Sequence, residues 1–393
     1  MSFASDPTYP LFPTFAFLGF FLVLIPLPWH FQAWNAGTCL YMVWTALACL
    51  NQFINSLAWR DSAINFAPVW CDISSRLITG VAVAIPAASL CINRRLYKIA
   101  SIQCVSVTRA QKRRAVIEDL SIGLGIPIIE MALAYVVNGH RFDIYEGLGC
   151  YPAIYNVWLS YVLVSGWPIA IGLVSACYCV LSLRAFHQKR SQFRELLSQN
   201  KSLTVNRYFR LMALATIELI CTIPFATYFI IINSSGGQVF PYKGWADLHF
   251  HWSFVGQFPA TLWRLDHKAE IALELTRWLV VVCAFVFFAF FGFADEARRN
   301  YKRVITSALE SRFVRKLVPR IRSKSDATKL SPNNSRGVLP VFINRPPIHI
   351  EKKISMISDS SLTKASLSPS SSTNVSFEEE TKVSYDECYG HAY

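Results

Sequence analysis

Charged side chains are scarce in this chain: Lys, Arg, Asp and Glu make up 16% of its residues, where a water-soluble domain averages about a quarter. Hydrophobic residues reach 53% and the mean hydropathy is +0.32, which excludes a soluble globule of this length. The apolar residues run on for about 19 or more at a time, long enough to cross a hydrocarbon slab roughly 30 Å thick as a helix. Basic residues are missing from the first eleven positions, and no small-residue cleavage site follows. The first apolar run is therefore expected to be a retained helix and not a signal peptide. An internal repeat is also lacking.

What is present is a set of seven apolar spans: Leu11–Trp29, Gly37–Trp59, Pro68–Ile92, Val116–Val137, Ile154–Leu183, Tyr208–Ile232 and Ile271–Phe293. Unpaired backbone groups are not tolerated in lipid, so each span is expected to be a helix. The fold class is an all-α integral membrane bundle of seven helices. Prolines inside the spans (Pro26, Pro86, Pro127, Pro168 and Pro224) are expected to kink the helices without ending them.

The net charge of +13 does not point to nucleic acid, because the basic residues fall in alternate connectors. Arg94, Arg95, Lys98, Arg109 and Lys112–Arg114 follow span three; Arg184, Lys189, Arg190, Arg194, Lys201, Arg207 and Arg210 fill or edge the next such connector; Arg298, Arg299, Lys302 and Arg303 follow span seven. Basic flanks stay cytoplasmic, which puts the N-terminus outside and the C-terminus inside. Residues 1–303 form the membrane domain on this reading. Residues 304–393 form a cytoplasmic tail: a basic stretch suited to the inner leaflet, then Ser/Thr-rich sequence expected to be disordered. That tail is either a solubilising segment or a phosphorylatable one that recruits or blocks cytoplasmic regulators, kinases or arrestin-like proteins among them. Its end, "CYGHAY", does not fit a prenylation box. The sequon at Asn233 lies too near the bilayer for glycosylation, and those at Asn333 and Asn374 face the cytosol.

Eleven cysteines exclude a complete disulfide framework. Topology leaves two at the oxidising outer rim: Cys71, opening span three, and Cys150 in the polar segment "GHRFDIYEGLGCYP" (139–152). A bridge between them would tie that segment across the top of the bundle as a lid carrying Arg141, Asp143 and Glu146; two free cysteines are the alternative.

The motifs "LPWHFQAWNAGTCLYMVW", "WCDI", "LCINRRLY", "GLGIPIIEMALAYVVNGHRFDIYEGLGCYP" and "NRYFRLMALATIEL", in this order, resemble the fungal mating-pheromone receptors of the lipopeptide (a-factor) class, which are seven-helix G protein-coupled receptors. The resemblance runs from about Tyr9 to Arg303 and stops before the tail. Asn138, where the family often has Gln, is a minor departure. The resemblance implies a plasma-membrane receptor, no enzyme and no cofactor or metal. Its ligand would be a short peptide whose C-terminal cysteine carries a farnesyl group and a methyl ester; its partners would be membrane lipid and a heterotrimeric G protein. The "DRY" and "NPxxY" signatures of animal rhodopsin-like receptors are missing, so their switch is not carried over.

Ionisable residues inside spans are costly and each asks for a partner. In the outer half lie Asp72 and Arg76, four apart; Glu274 and Arg277, three apart; Glu130; and the polar Asn55. Each close pair can meet along one helix face, either pinning helices or bracing an outward cavity with a greasy slot for a prenyl chain. Glu218 lies deeper, six residues before Pro224. It is a hydrogen-bonded core carboxylate or a link to the cytoplasmic face, with Pro224 as the bend. Arg94, Arg95, Arg207 and Arg210 are explained by anchoring, by contact with the G protein, or by both, and the connector 184–208 is the other candidate for coupling.

Three other classes compete. A retinal protein needs a lysine inside span seven, and Lys268 lies outside it. A zinc-dependent membrane hydrolase could use Asp247, His249 and His251 of "ADLHFHW", which would share a face in an extended loop, but companion histidines on other spans are missing. A transporter would favour repeated halves and interrupted helices.

Overall fold

The computed structural model describes residues 6–101, 108–188, 205–236, 238–294, 297–298, 300–302 and 306. The tail beyond 306, Cys104, Cys388 and most of the connector 184–208 lie outside the described residues. Among the described residues, seven helices are long and apolar enough to cross a membrane: α1 (Leu11–Gln32), α2 (Ala36–Ala58), α3 (Pro68–Ser101), α4 (Arg109–Val137), α5 (Trp158–Gln188), α6 (Val205–Gly236) and α7 (His267–Phe291). Most run past the apolar spans at the end that carries the arginines, because polar turns continue a helix once it has left the slab.

Pro86, Pro127 and Pro224 sit inside continuous helices. Pro26 behaves differently and corrects the expectation: α1 is helical over Leu11–Leu24 and again over Leu27–Gln32, with Pro26 capping the second piece. A proline has no N–H to donate and its ring crowds the carbonyl four residues back. The same defect shapes α5. Pro168 cannot donate to the preceding turn, and Tyr161–Ser165 widens into a π turn just before it.

α3 is the central helix. Over 34 residues it packs against α2, α4, α5 and α6, helped by a run of small buried residues: Ser74, Ser75, Thr79, Gly80, Ala84, Ala87, Ala88 and Ser89. Small residues let backbones approach where lipid supplies no hydrophobic drive between helices. One close approach is between α2 and α4, where the indole of Trp44 donates to the Gly123 carbonyl at 2.9 Å.

The expected all-helical architecture gains a small sheet at one end. β1 (Phe142–Tyr145) pairs antiparallel with β2 (Gly149–Tyr151) and parallel with β3 (Val255–Phe258), in the order β2-β1-β3. The β1–β2 hairpin turns through Gly147 at φ +82°, a left-handed position that glycine takes without steric cost. β1 alternates: Phe142 and Ile144 are buried with Trp59, Cys71 and Cys150, while Tyr145 joins Tyr151, Leu148, Phe258 and Trp263 on the other face. The bundle thus has a sheet end and an arginine end.

Candidate functional site

At the sheet end the first turn of α3 carries Cys71, which is bonded to Cys150 of β2 across a Cα–Cα distance of 5.1 Å. The hairpin is also held by side chains from α2 and α3. Asn55 donates to Ser74 Oγ at 2.8 Å and accepts from the Trp70 indole at 2.7 Å. Ser74 in turn donates to the Cys150 carbonyl at 3.3 Å. The Trp59 carbonyl, one residue past α2, accepts from the Gly147 N–H at 2.7 Å. Asn55 therefore braces the hairpin and is fully buried beneath it.

Arg277 is the most consequential charge. It is 1% exposed and clasps two carboxylates at once. Its Nε donates to Glu274 Oε2 at 2.8 Å, and its Nη atoms reach Asp6 at 3.0 and 3.2 Å, Thr8 Oγ1 at 2.9 Å and the Gly147 carbonyl at 3.4 Å. One guanidinium thus joins α7, the segment before α1 and the hairpin turn, using the planar fork that suits it to such sites. Burial pushes the Asp6 carboxyl up, but the bonds and charge of Arg277, with Thr8, outweigh it and hold Asp6 below its ordinary 3.8. A depressed carboxylate stabilises the fold above its ordinary value and loses that contribution only as pH falls through the depressed one, so the clasp stays ionised near neutrality.

The Glu274–Arg277 pair forms as the spacing predicts, whereas Asp72 and Arg76 do not pair. Asp72 instead accepts from Arg141 Nε and Nη2 at 2.8 and 2.5 Å, because the hairpin delivers Arg141 to the mouth of α3. Arg76 turns to α4 and lies 5.3 Å from the Tyr135 ring centroid. The Asp72–Arg141 side chains are 40% and 35% exposed, and exposed pairs contribute at most about 1 kcal/mol. Neutralising either one is expected to shift the thermal midpoint of the detergent-purified protein only slightly, and the Asp72→Arg/Arg141→Asp swap to restore it.

The other hairpin charges are structural. Asp143 receives the His140 ring at 2.6 Å. Glu146 accepts from the Ala260 N–H at 2.7 Å, and its carbonyl accepts from the Trp263 indole at 3.2 Å, so the hairpin is stitched to the connector before α7. Glu130 differs. It lies on the buried stripe of α4 with Asp119, Gly123, Pro127 and Ala134, is 1% exposed, and its Oε2 has no hydrogen-bond partner among the described residues.

Mid-bundle, Glu218 of α6 collects donors from three places: Tyr41 Oη at 3.2 Å, Thr222 Oγ1 at 2.9 Å and the Cys283 thiol at 3.8 Å. It links α2, α6 and α7 and stands on α6 ahead of Pro224. On its sheet side none of the described residues of α6 is buried, whereas Tyr208, Leu211, Leu214 and Ala215 on the arginine side are.

At the arginine end each of the four candidate coupling residues meets a partner within the bundle. Arg94 pairs with Glu118 at 2.9 Å and Asp119 at 2.8 Å on α4. Arg95 donates to the carbonyls of Ala33 and Trp34 after α1. Arg207 is buried with its Nη2 3.3 Å from His30 Nδ1, and Arg210 lies 6.0 Å from the Phe291 ring.

Asp247, His249 and His251 do not share an extended face. Trp245–Leu248 is a helical turn, and among the described residues no cluster of His, Cys, Asp or Glu could hold a metal ion. Sequence reasoning missed Asp6, Thr8, Trp59, Trp70 and Ser74. For Asp6 the signal was available: an acid with no basic neighbour ahead of span one, and an arginine inside span seven.

A family model described as "Pheromone A receptor" matches residues 11–313. The chain is 54% identical to the pheromone B alpha 3 receptor of Schizophyllum commune over 75% of its own length and 47% of that protein. It is 37% identical to pheromone receptor 1 of Mycosarcoma maydis over 76% of this chain and 84% of that one. It is 24% identical to the pheromone a factor receptor of Saccharomyces cerevisiae over 74% and 60% of the two chains. It spans about half the length of the three pheromone B alpha receptors of S. commune that it matches.

Proposed function

Since this chain belongs to the pheromone A receptor family, we propose that it is a plasma-membrane receptor for an extracellular farnesylated peptide pheromone and that it activates a heterotrimeric G protein. The observation that carries this reading is a family match spanning all seven helices. The sheet end faces outside and the arginine end the cytosol, as the positive-inside rule requires of connectors so rich in arginine. Residues 1–303 are the receptor domain and 304–393 a regulatory tail open to kinases and arrestin-like proteins. The chain itself carries out no catalysis.

The geometry supports a division of labour. The disulfide, the hairpin, β3 and the Arg277 clasp roof the sheet end, so a prenyl chain, which partitions into the bilayer, enters sideways. The seam between α6 and α7 is suited to that. α7 is bound to α1 through Phe12–Trp278 and Phe15–Phe285 ring contacts at 5.1 and 5.4 Å. α6 is tied towards α5 by Asn156, which donates to the Asn233 carbonyl at 3.0 Å. Between α6 and α7, Glu218–Cys283 forms the floor. Asn55, Asp72, Arg76, Glu130, Glu274 and Arg277 are the residues proposed to contact the ligand or to brace the outer half of the bundle that receives it. Ligand shifts the helices only by binding the open arrangement better, with Pro224 as the bend of α6 and with Arg94, Arg95, Arg207 and Arg210 holding the closed arginine end until it opens.

The test is nucleotide exchange on a G protein α subunit in reconstituted vesicles, driven by a panel of synthetic farnesylated peptides. One peptide should stimulate exchange. Its version without the lipid should lose potency by more than about a hundredfold, because each buried CH2 contributes about 0.8 kcal/mol. Uptake of the peptide into vesicles with no exchange would make the protein a transporter instead.

A further inference from the structure

We propose that Trp44 of α2 is a positioning residue: its indole supplies the hydrogen bond that Pro127 removes from α4, and so fixes the part of α4 towards the sheet end, where Glu130 and Tyr135 stand. In an α-helix the N–H of each residue bonds the carbonyl four residues back. Proline has no N–H, and its ring crowds that same carbonyl. Pro127 lies inside the continuous helix α4, so the carbonyl it leaves without a helical donor is that of Gly123. It is this carbonyl that the Trp44 Nε1–H reaches, at 2.9 Å.

Three residues share the contact. Pro127 frees the acceptor. Gly123 admits the neighbouring helix, since a Cβ there would lie 2.5 Å from Leu40 Cδ1. Trp44 brings the donor, as an indole N–H only donates. All three are buried, and a backbone carbonyl left unpaired in lipid is costly. Pro86 and Pro224 open the same gap in α3 and α6, at the carbonyls of Ala82 and Ile220. Among the described residues no side chain donates to either, so α4 differs from them in having its gap filled from another helix.

A missing rung is a place where a helix bends. Glu130 stands three residues beyond Pro127 and Tyr135 eight. At about 1.5 Å per residue, a swing of about 20° at the proline would carry Tyr135 by about 4 Å. Its ring packs 4.7 Å from that of Trp252 and 5.3 Å from the Arg76 guanidinium, and Met131 lies against Gly80 of α3. Such a swing would undo these contacts. Glu130 is among the residues proposed to contact the ligand or brace its site, so the consequence for ligand rests on the receptor reading, while the bond itself does not.

The experiment is a double-mutant cycle on the full-length protein in lipid nanodiscs, read first by thermal midpoint without ligand. Trp44→Phe should lower the midpoint by about 2 °C or more, as expected when a buried carbonyl loses its donor. In a Pro127→Ala background the helix supplies its own N–H to Gly123, and the same replacement should cost far less. The smaller ring is common to both arms, so the difference reports the hydrogen bond. In the native protein the Trp44 indole proton, assigned by its loss in Trp44→Phe, should resonate downfield and resist deuterium exchange. The second reading is peptide-driven nucleotide exchange at equal amounts of folded receptor. Trp44→Phe should raise the half-maximal peptide concentration about tenfold, leave the maximum unchanged, and add nothing in a Glu130→Gln background. An equal cost of Trp44→Phe in both proline backgrounds would overturn the proposal, as would a rapidly exchanging indole or an unchanged half-maximal concentration. A native protein silent to every peptide would instead sink the receptor reading, and the midpoint cycle would still decide the bond.

Discussion

Replacing Arg277 by methionine is expected to remove most of the receptor from the cell surface. The guanidinium is buried against Asp6 and Glu274, and taking one partner from a buried charge cluster leaves the others uncompensated, at about 3–5 kcal/mol. A membrane protein as marginally stable as most domains would not withstand that at growth temperature. The informative comparison is the triple variant Arg277→Met/Asp6→Asn/Glu274→Gln, which removes the stranded charges as well. Surface labelling should recover substantially in the triple, because removing a whole buried ionic cluster is far less disruptive than breaking it. If the single variant reached the surface at native levels, the clasp would not be holding the N-terminal segment, α7 and the hairpin together.

Cys71→Ser and Cys150→Ser are each expected to lower surface expression strongly, and the double variant to be no worse than either. The bridge closes a loop with a sequence separation of 79, for which the chain-entropy argument gives about 4–5 kcal/mol. Because the two cysteines make one bond, losing the second adds nothing. Additive losses, read by flow cytometry of surface-labelled cells, would show two thiols acting separately.

The seven helices were legible because lipid enforces one rule, unbroken apolar length, and that rule is written locally. The pairing of Glu274 with Arg277 was legible for a similar reason, since both stand on one helix three residues apart. Asp72 defeated the same logic. Its partner Arg141 comes from a loop 69 residues away, and nothing in the spacing of Asp72 and Arg76 reveals a better-placed competitor. The strands were half visible. Phe142 and Ile144 alternate with polar neighbours and glycines follow, but β1 is only four residues long and its parallel partner β3 lies beyond two further helices. The arginines after span three and before span six stand at one end of the bundle, as their place in the sequence implies. Their contacts depend on His30, Asp119 and the carbonyls of Ala33 and Trp34, all contributed by other parts of the chain.

The parallel pairing of β1 with β3, Phe142 to Val255 and Tyr145 to Phe258, fixes an order of assembly during synthesis. The bridge needs only Cys71 and Cys150, so it can close once the fourth helix and the hairpin have been made. At that moment β1 still has one naked edge, because the ribosome has yet to make the fifth and sixth helices and the strand that follows them. An unpaired edge is a template for wrong partners, and that of β1 is covered only when residues 255–258 arrive.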